Sequence, residues 1–312
     1  MTNILVTGVA GFIGGNIAAY FEREGQRVVT HASTRARTES GDASALSQRE
    51  ALSVTALQRV TAGGMPDAII HAAGSGTVSS VAAQPESELP ANLASLMAVL
   101  EYARLHAPRA HVVVLSSAAL YGNAPATPQR ESDARAPVSL YGLAKAQSEQ
   151  LAAFYAAQHD MAITAVRLFS VYGPGLRKQL LWDAMVKFSQ GAPSPFFGTG
   201  DERRDWTHID DVCRFMGRLL AVSKASGFEV LNCSGGQVAS TAELLGEMAR
   251  AVGVPAPRFN GQVRAGDPAC LLADCSEAEQ RLDWRPEIDW RQGVAAYARW
   301  FQDQAQPSLR RA

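Results

Sequence analysis

Asn3-Ile-Leu-Val-Thr7, running directly into Gly8-Val-Ala-Gly-Phe-Ile-Gly14, decides how this chain is read. The first five residues are short, apolar and partly β-branched, the pattern of a strand covered on both faces in a parallel sheet. Gly8, Gly11 and Gly14 follow at once. Ile13, Ile17, Tyr20 and Phe21 then fall at i, i+4, i+7 and i+8, one face of a helix, and Gly25 closes that helix. Glycines between strand and helix let the backbone turn tightly. They also let a pyrophosphate reach the amides of the helix N-terminus, where the dipole favours anions. The spacing is GxxGxxG rather than GxGxxG. A glycine turn used only for packing is the competing explanation.

Beyond this stretch, strands and helices alternate. Arg27–His31, Asp67–His71, His111–Leu115 and Met161–Val166 are the clearest strands, and Glu88–Leu105 and Tyr141–Gln158 the clearest long helices. Alternation of this kind predicts an α/β fold, a Rossmann-like doubly wound parallel sheet with helices on both faces. Ligands then bind at the carboxyl ends of the strands. Thr34–Ala62 is polar and rich in Ala and Ser, and a third strand is placed at Ala51–Val54. After Arg167 the texture changes: Val171-Tyr-Gly-Pro-Gly175 is a turn-rich break, and Gly191–Asp201 is rich in Gly, Pro and Phe. The expected organisation is an NAD(P)-binding Rossmann domain over 1–171, with a return segment near 205–233, and a smaller C-terminal substrate-binding domain over 172–312.

Composition narrows the class. At 312 residues, 47% hydrophobic and 19% charged, the chain reads as a soluble globular protein with ample length for a core. A formal net charge of −1 gives no reason to expect nucleic acid or an anionic membrane as partner. No apolar run approaches the ~20 residues needed to span a bilayer. The first strand begins at residue 3 and leaves no room for a signal peptide. Cys213, Cys233, Cys270 and Cys275 form no CxxC and have no nearby histidine partner. They read as reduced thiols of a cytoplasmic protein that binds no metal.

The chemistry points to Tyr141-Gly-Leu-Ala-Lys145. Four residues apart, Tyr141 and Lys145 share one helix face. A phenol ordinarily loses its proton near pH ~10. An ammonium held close favours the phenolate and is expected to lower that value, so the pair is a proton-transfer device. Alone, the spacing is weak, because many solvated helix faces carry it.

With these pieces in place the chain resembles the extended short-chain dehydrogenase/reductase family, in particular its nucleotide-sugar epimerases, dehydratases and 4-ketoreductases. The resemblance runs nearly end to end. It rests on Thr7-Gly8…Gly11-Phe12-Ile13-Gly14, His71-Ala72-Ala73-Gly74, Leu115-Ser-Ser-Ala-Ala-Leu-Tyr-Gly122, Tyr141…Lys145, Arg167-Leu-Phe-Ser-Val-Tyr-Gly-Pro174, Arg203-Arg-Asp-Trp-Thr-His-Ile-Asp-Asp211 and Arg264-Ala-Gly-Asp267. It implies a third catalytic residue, Ser117, at the end of the fifth strand. Ser117 would hydrogen-bond the sugar oxygen at which Tyr141 moves a proton, while Lys145 holds the nicotinamide ribose. Cofactor contacts are implied at Gly8, Gly11, Phe12, Ile13, Gly14, Ser33, Arg35, Ala72, Ala73, Gly74, Tyr141, Lys145 and Leu168. Arg204 and Arg264 match arginines that grip a substrate diphosphate, a use that suits their planar fork of donors. Ser117 and Ser170 join them in the expected substrate site, although Ser170 stands where the family commonly has asparagine. Asn92 matches an asparagine near the catalytic lysine, and Phe196-Phe197 lies where the family forms its base slot. The resemblance also implies a homodimer through two long helices, with Leu93, Leu96 and Leu100 on one apolar stripe and Leu151, Phe154 and Tyr155 on the other.

Two departures refine the expectation. The acidic residue that binds the adenosine ribose in NAD enzymes is replaced near Ala32, followed by Ser33, Thr34 and Arg35. A 2′-phosphate would meet no carboxylate there and could pair with Arg35, so NADP is favoured and NAD remains possible. Ala118 and Ala119 occupy the places of the Asp-Glu pair that family dehydratases use to expel water, and methyl groups transfer no protons. The sequence therefore leans to an NADPH-dependent 4-ketoreductase acting on a nucleotide-diphosphate sugar. A 4-epimerase with tightly bound NAD shares every catalytic residue, and a non-catalytic dinucleotide-binding regulator is a third reading.

Overall fold

Asn3–Thr7 is the first strand, β1, and hydrogen-bonds in parallel to β2 (Arg27–His31) on one side and to β3 (Ala68–His71) on the other. Between them run α1 (Phe12–Arg23) and α2 (Val54–Val60). The chain continues through α3 (Val78–Ala83), α4 (Pro85–His106), β4 (His111–Ser117), α5 (Leu140–His159), β5 (Ala162–Leu168), β6 (Ser170–Tyr172), α6 (Gln179–Ser189), β7 (Arg203–His208), α7 (Ile209–Ala221) and β8 (Gly227–Cys233). It ends with β9 (Val238–Ser240), α8 (Thr241–Val252), β10 (Cys270–Leu271), α9 (Ser276–Leu282) and α10 (Trp290–Leu309). This is a computed structural model that describes residues 2–32, 51–74, 77–123, 126–190, 195–222, 225–262 and 268–309.

Two compact units result. The first comprises 1–120, 139–168 and 213–231 and holds a six-stranded sheet in the order β2-β1-β3-β4-β5-β8. Ile4, Leu5, Val6, Ile69, Ile70, Val112 and Val113 are at most 1% exposed, as expected where helices cover both sheet faces. Leu96, Val99, Leu100 and Tyr102 of α4, with Ala152 and Tyr155 of α5, pack in one cluster with Leu5, Ile69, Val112 and Ile163. Tyr102 satisfies its buried hydroxyl by donating to Thr61 Oγ1 at 2.7 Å.

The strand order reverses between β1 and β3, so their carboxyl ends flank the crevice in which this architecture binds ligands.

Two expectations are corrected here. Ala51–Val54 is not a strand. Ser53 caps α2, its Oγ accepting the Ala56 N–H at 3.1 Å, so helix capping outweighs the β-branched Val54. Ser117 accordingly ends the fourth strand of the chain and not the fifth. Of the apolar stripes, Leu96, Leu100 and Tyr155 are buried within their own unit, whereas Phe154 is 58% exposed, as are, to a lesser degree, Leu143 on the same helix and Met97 on α4.

The second unit comprises 121–138, 169–212 and 232–312. In its sheet β7 is the hub, pairing in parallel with β6 and β10 and antiparallel with β9. A capping box starts α8, with Ser240 Oγ accepting from Glu243 N–H and the Glu243 carboxylate accepting from Ser240 N–H. Among the described residues, no helix is long and apolar enough to cross a membrane, and no three His, Cys, Asp or Glu side chains cluster as a metal site. The four cysteines are free thiols.

Candidate functional site

The glycine turn is held by its own backbone. Gly8 N–H donates to His31 O at 3.0 Å, and Gly8 O accepts from Gly11 N–H at 2.9 Å. Gly8 has φ +76°, and a Cβ there would lie 2.5 Å from Ala73 N, so only glycine fits. A Cβ on Gly14 would lie 2.5 Å from Gly8 O, which lets α1 start directly above the loop. Gly11 is the residue that caps α1, and it offers no side-chain acceptor. The first-turn amides of Phe12, Ile13 and Gly14 therefore have no intrahelical acceptor and no side-chain cap. Ala72 and Ala73, leaving β3, pass against this cradle. A small anionic group such as a pyrophosphate fits these donors at the positive end of the helix. Of the other expected cofactor residues, Ser33 and Arg35 lie outside the described residues. Gly74 takes φ +136° against Asn92, whose Oδ1 a Cβ would approach to 2.5 Å.

The second half of the site is built by β4 and α5. Ser139 caps α5 by accepting the Gly142 N–H at 3.1 Å, which sets Tyr141 in the first turn and Lys145 in the next. Ser117 is the last residue of β4, in register with Leu168, the last of β5. The Tyr141 phenol is hydrogen-bonded to the Ser117 hydroxyl. Lys145 Nζ donates to Leu115 O at 2.8 Å and lies 5.8 Å from the Tyr141 ring centroid. Ser117, Tyr141 and Lys145 thus meet at the carboxyl end of the sheet.

Their electrostatics differ from the expectation that Lys145 depresses the tyrosine. Desolvation pushes the Tyr141 phenol above its ordinary value, and the Ser117 hydrogen bond opposes this. Desolvation lowers Lys145 to about 8, against the pull of the Glu149 carboxylate, which favours the ammonium. The physical reason is burial, which penalises the phenolate; the Lys145 ammonium, for its part, donates to Leu115 O.

His71, Asn92, Leu115, Tyr141, Lys145 and Ser148 line a small pocket. Asn92 Nδ2 donates to Glu88 O at 2.9 Å. His71 is buried, its Nδ1 2.9 Å from Thr7 Oγ1, and desolvation followed by the Lys145 charge lowers its pKa to about 3. His71 carried no chemical role in the sequence reading, and its signal was only its place at the end of β3.

In the second unit, Ser170 opens β6 in register with Trp206, and Arg204 lies on β7 in register with Leu271. Arg204 is half-buried, and its Nη1 donates to Arg203 O at 3.0 Å. Arg264 lies outside the described residues. Phe196 is buried beneath Lys187, whose Nζ is 4.4 Å from the ring centroid, while Phe197 is 38% exposed. The two adjacent rings therefore face different surroundings.

A doubly wound parallel sheet, an uncapped glycine cradle at its switch point and a Ser-Tyr-Lys group at its strand ends define a short-chain dehydrogenase/reductase type of dinucleotide-binding enzyme. The chain belongs to the NAD dependent epimerase/dehydratase family, whose sequence pattern matches residues 4–234. It is 29% identical to a probable UDP-glucuronate 4-epimerase of Rhizobium meliloti (strain 1021), over 95% of this chain and 96% of that protein. It is also 29% identical to a UDP-glucose 4-epimerase of Mycolicibacterium smegmatis, over 97% and 99%. Among solved structures, MoeE5 in complex with UDP-glucuronic acid and NAD superposes with a TM-score of 0.82 at 28% identity, covering 97% of this chain and 99% of that one.

Proposed function

We propose that this protein is a nucleotide-sugar 4-epimerase that works with NAD. The observation that carries the reading is the Ser117–Tyr141 hydrogen bond beside Lys145 at the strand ends. The full-length likeness to UDP-sugar 4-epimerases supports it. The lean toward an NADPH-dependent 4-ketoreductase, and toward NADP, finds no support among these relatives. MoeE5, a solved structure of similar length, is in complex with NAD. A second reading as the ketoreductase rests on Ala32, which leaves no carboxylate at the end of β2.

The first unit is read as the dinucleotide site and the second as the substrate domain. Phe12, Ile13 and Gly14 offer amides to the pyrophosphate, Lys145 reaches the nicotinamide ribose, and Leu168 ends the strand beside Ser117. NAD, when bound, supplies the acceptor and donor of the C4 hydride. Ser117 hydrogen-bonds the O4 oxygen, and Tyr141 removes its proton and later restores it. Desolvation holds Tyr141 in its acid form, suited to the restoring step. The Ser117 hydrogen bond favours the phenolate that the removing step needs. Ala118 and Ala119 supply no acid or base for dehydration. Arg204, and Arg264 by the resemblance, are read as diphosphate contacts, with Ser170 as a further polar group of the substrate site. Conversion of UDP-glucose or UDP-glucuronate with no coenzyme added tests the reading: a C4 epimer is expected, and an absolute need for NADPH counts against it.

Two copies are read as pairing through α4 and α5, whose exposed Met97, Leu143 and Phe154 offer apolar surface. Light scattering at micromolar concentration should return twice the chain mass; a monomer contradicts this. The four free thiols suit a reducing compartment such as the cytoplasm.

A further inference from the structure

Glu149 is a carboxylate with no solvent exposure, in the middle of the helix that carries Tyr141 and Lys145. Positions 141, 145 and 149 stand at i, i+4 and i+8, so the three side chains share one face of α5. Both carboxylate oxygens are occupied. Oε1 accepts from Ser116 Oγ at 2.6 Å and from Arg167 Nε at 2.9 Å, and Oε2 accepts from Arg167 Nη2 at 2.8 Å. Arg167 is 2% exposed. Ser116 and Arg167 are register partners on β4 and β5, each one residue before Ser117 and Leu168.

A buried ion pair is a poor device for stability alone, since apolar residues of similar volume replace such pairs without loss. Its position explains it better. We propose that Glu149, clasped by Arg167 and Ser116, is a positioning residue that fixes α5 against the ends of β4 and β5 and holds the Lys145 ammonium beside Tyr141. Glu149 sits one turn beyond Lys145, whose Nζ is itself anchored on β4 at Leu115 O. The charged and titratable groups facing Lys145 are His71 from β3, with Tyr141 and Glu149 from its own helix; Arg167 of β5 stands behind Glu149. The neighbouring Asn92 of α4 is uncharged. Of these, the Glu149 carboxylate is the one that favours the ammonium.

The inference rests on the proposed function only where turnover is measured, and a titration of Lys145 stands without it. The chain has four lysines, Lys145, Lys178, Lys187 and Lys224, so 13C labelling at Cε gives a resolvable NMR titration, with Lys145→Met identifying the signal. Lys145 should titrate near 8 in the parent protein, and lower by at least about half a pH unit in Glu149→Gln. With substrate, Glu149→Gln should lose about tenfold or more in kcat while KM changes less than about twofold, and the alkaline limb of its pH profile should move down. Glu149→Asp should recover part of both. A folded Glu149→Gln with parental Lys145 titration overturns the proposal. Should that variant fail to fold, Glu149→Met combined with Arg167→Met fills the same space with apolar side chains. It must then show the lowered titration, and a parental value in the double variant also overturns the proposal.

Discussion

Tyr141→Phe is expected to fold and to lose turnover on its nucleotide sugar by at least ~10²-fold, the contribution of a positioned acid–base group. The phenyl ring keeps the volume that packs in the first turn of α5, and the missing hydroxyl removes one hydrogen bond, to Ser117. That loss costs about 1 kcal/mol of stability, too little to unfold a domain with this core. What disappears is the only atom of the side chain able to exchange a proton with O4. Dinucleotide binding should persist, because the cradle of Gly8, Gly11 and Gly14 is built by β1 and α1. A Tyr141→Phe protein with parental turnover would remove Tyr141 from the chemistry and leave Ser117 and Lys145 without a common task.

His71→Asn should flatten the acid side of the stability curve. The folded protein holds His71 near 3 through desolvation and the Lys145 charge, against an ordinary 6.5. Below pH 6.5 the unfolded chain therefore binds a proton that the folded chain refuses, and stability falls as the pH drops toward 3. At about 1.4 kcal/mol per pKa unit, the loss reaches roughly 4–5 kcal/mol at the bottom of that window. The full contribution is present above 6.5. An asparagine can still meet Thr7 Oγ1 and has no proton to gain, so denaturant titrations of parent and variant should diverge progressively between pH 6.5 and 4. Equal acid slopes would show that carboxylates elsewhere set the acid stability.

The parts legible in the sequence are those with local periodicity. β1, the glycine turn and α1 declare themselves through short-range spacing, and Tyr141 and Lys145 through their separation of four. The rest turns on a competing local signal or on distant partners. Ala51–Val54 looks like a strand by its side chains, yet Ser53 closes a hydrogen bond three residues ahead and starts a helix instead. Leu96 and Leu100 mark an apolar stripe, but the stripe alone does not say that their own sheet covers them. Nothing in the local spacing marks Glu149, because its partner Arg167 lies 18 residues later, on a strand. The Tyr141 shift runs against the expectation from spacing because spacing brings the lysine near, whereas the burial that raises the phenol is a tertiary fact.

The central claim is that this site oxidises and re-reduces C4 of one bound nucleotide sugar. Its most direct test is to incubate the purified protein with UDP-glucose, and separately UDP-glucuronate, each deuterated at C4, with no coenzyme added, and to follow the sugar by NMR. The account predicts that the C4 epimer of one of them accumulates to equilibrium with deuterium retained at C4. It would be contradicted if neither epimer formed, while adding NADPH and a 4-keto sugar nucleotide produced steady NADPH oxidation.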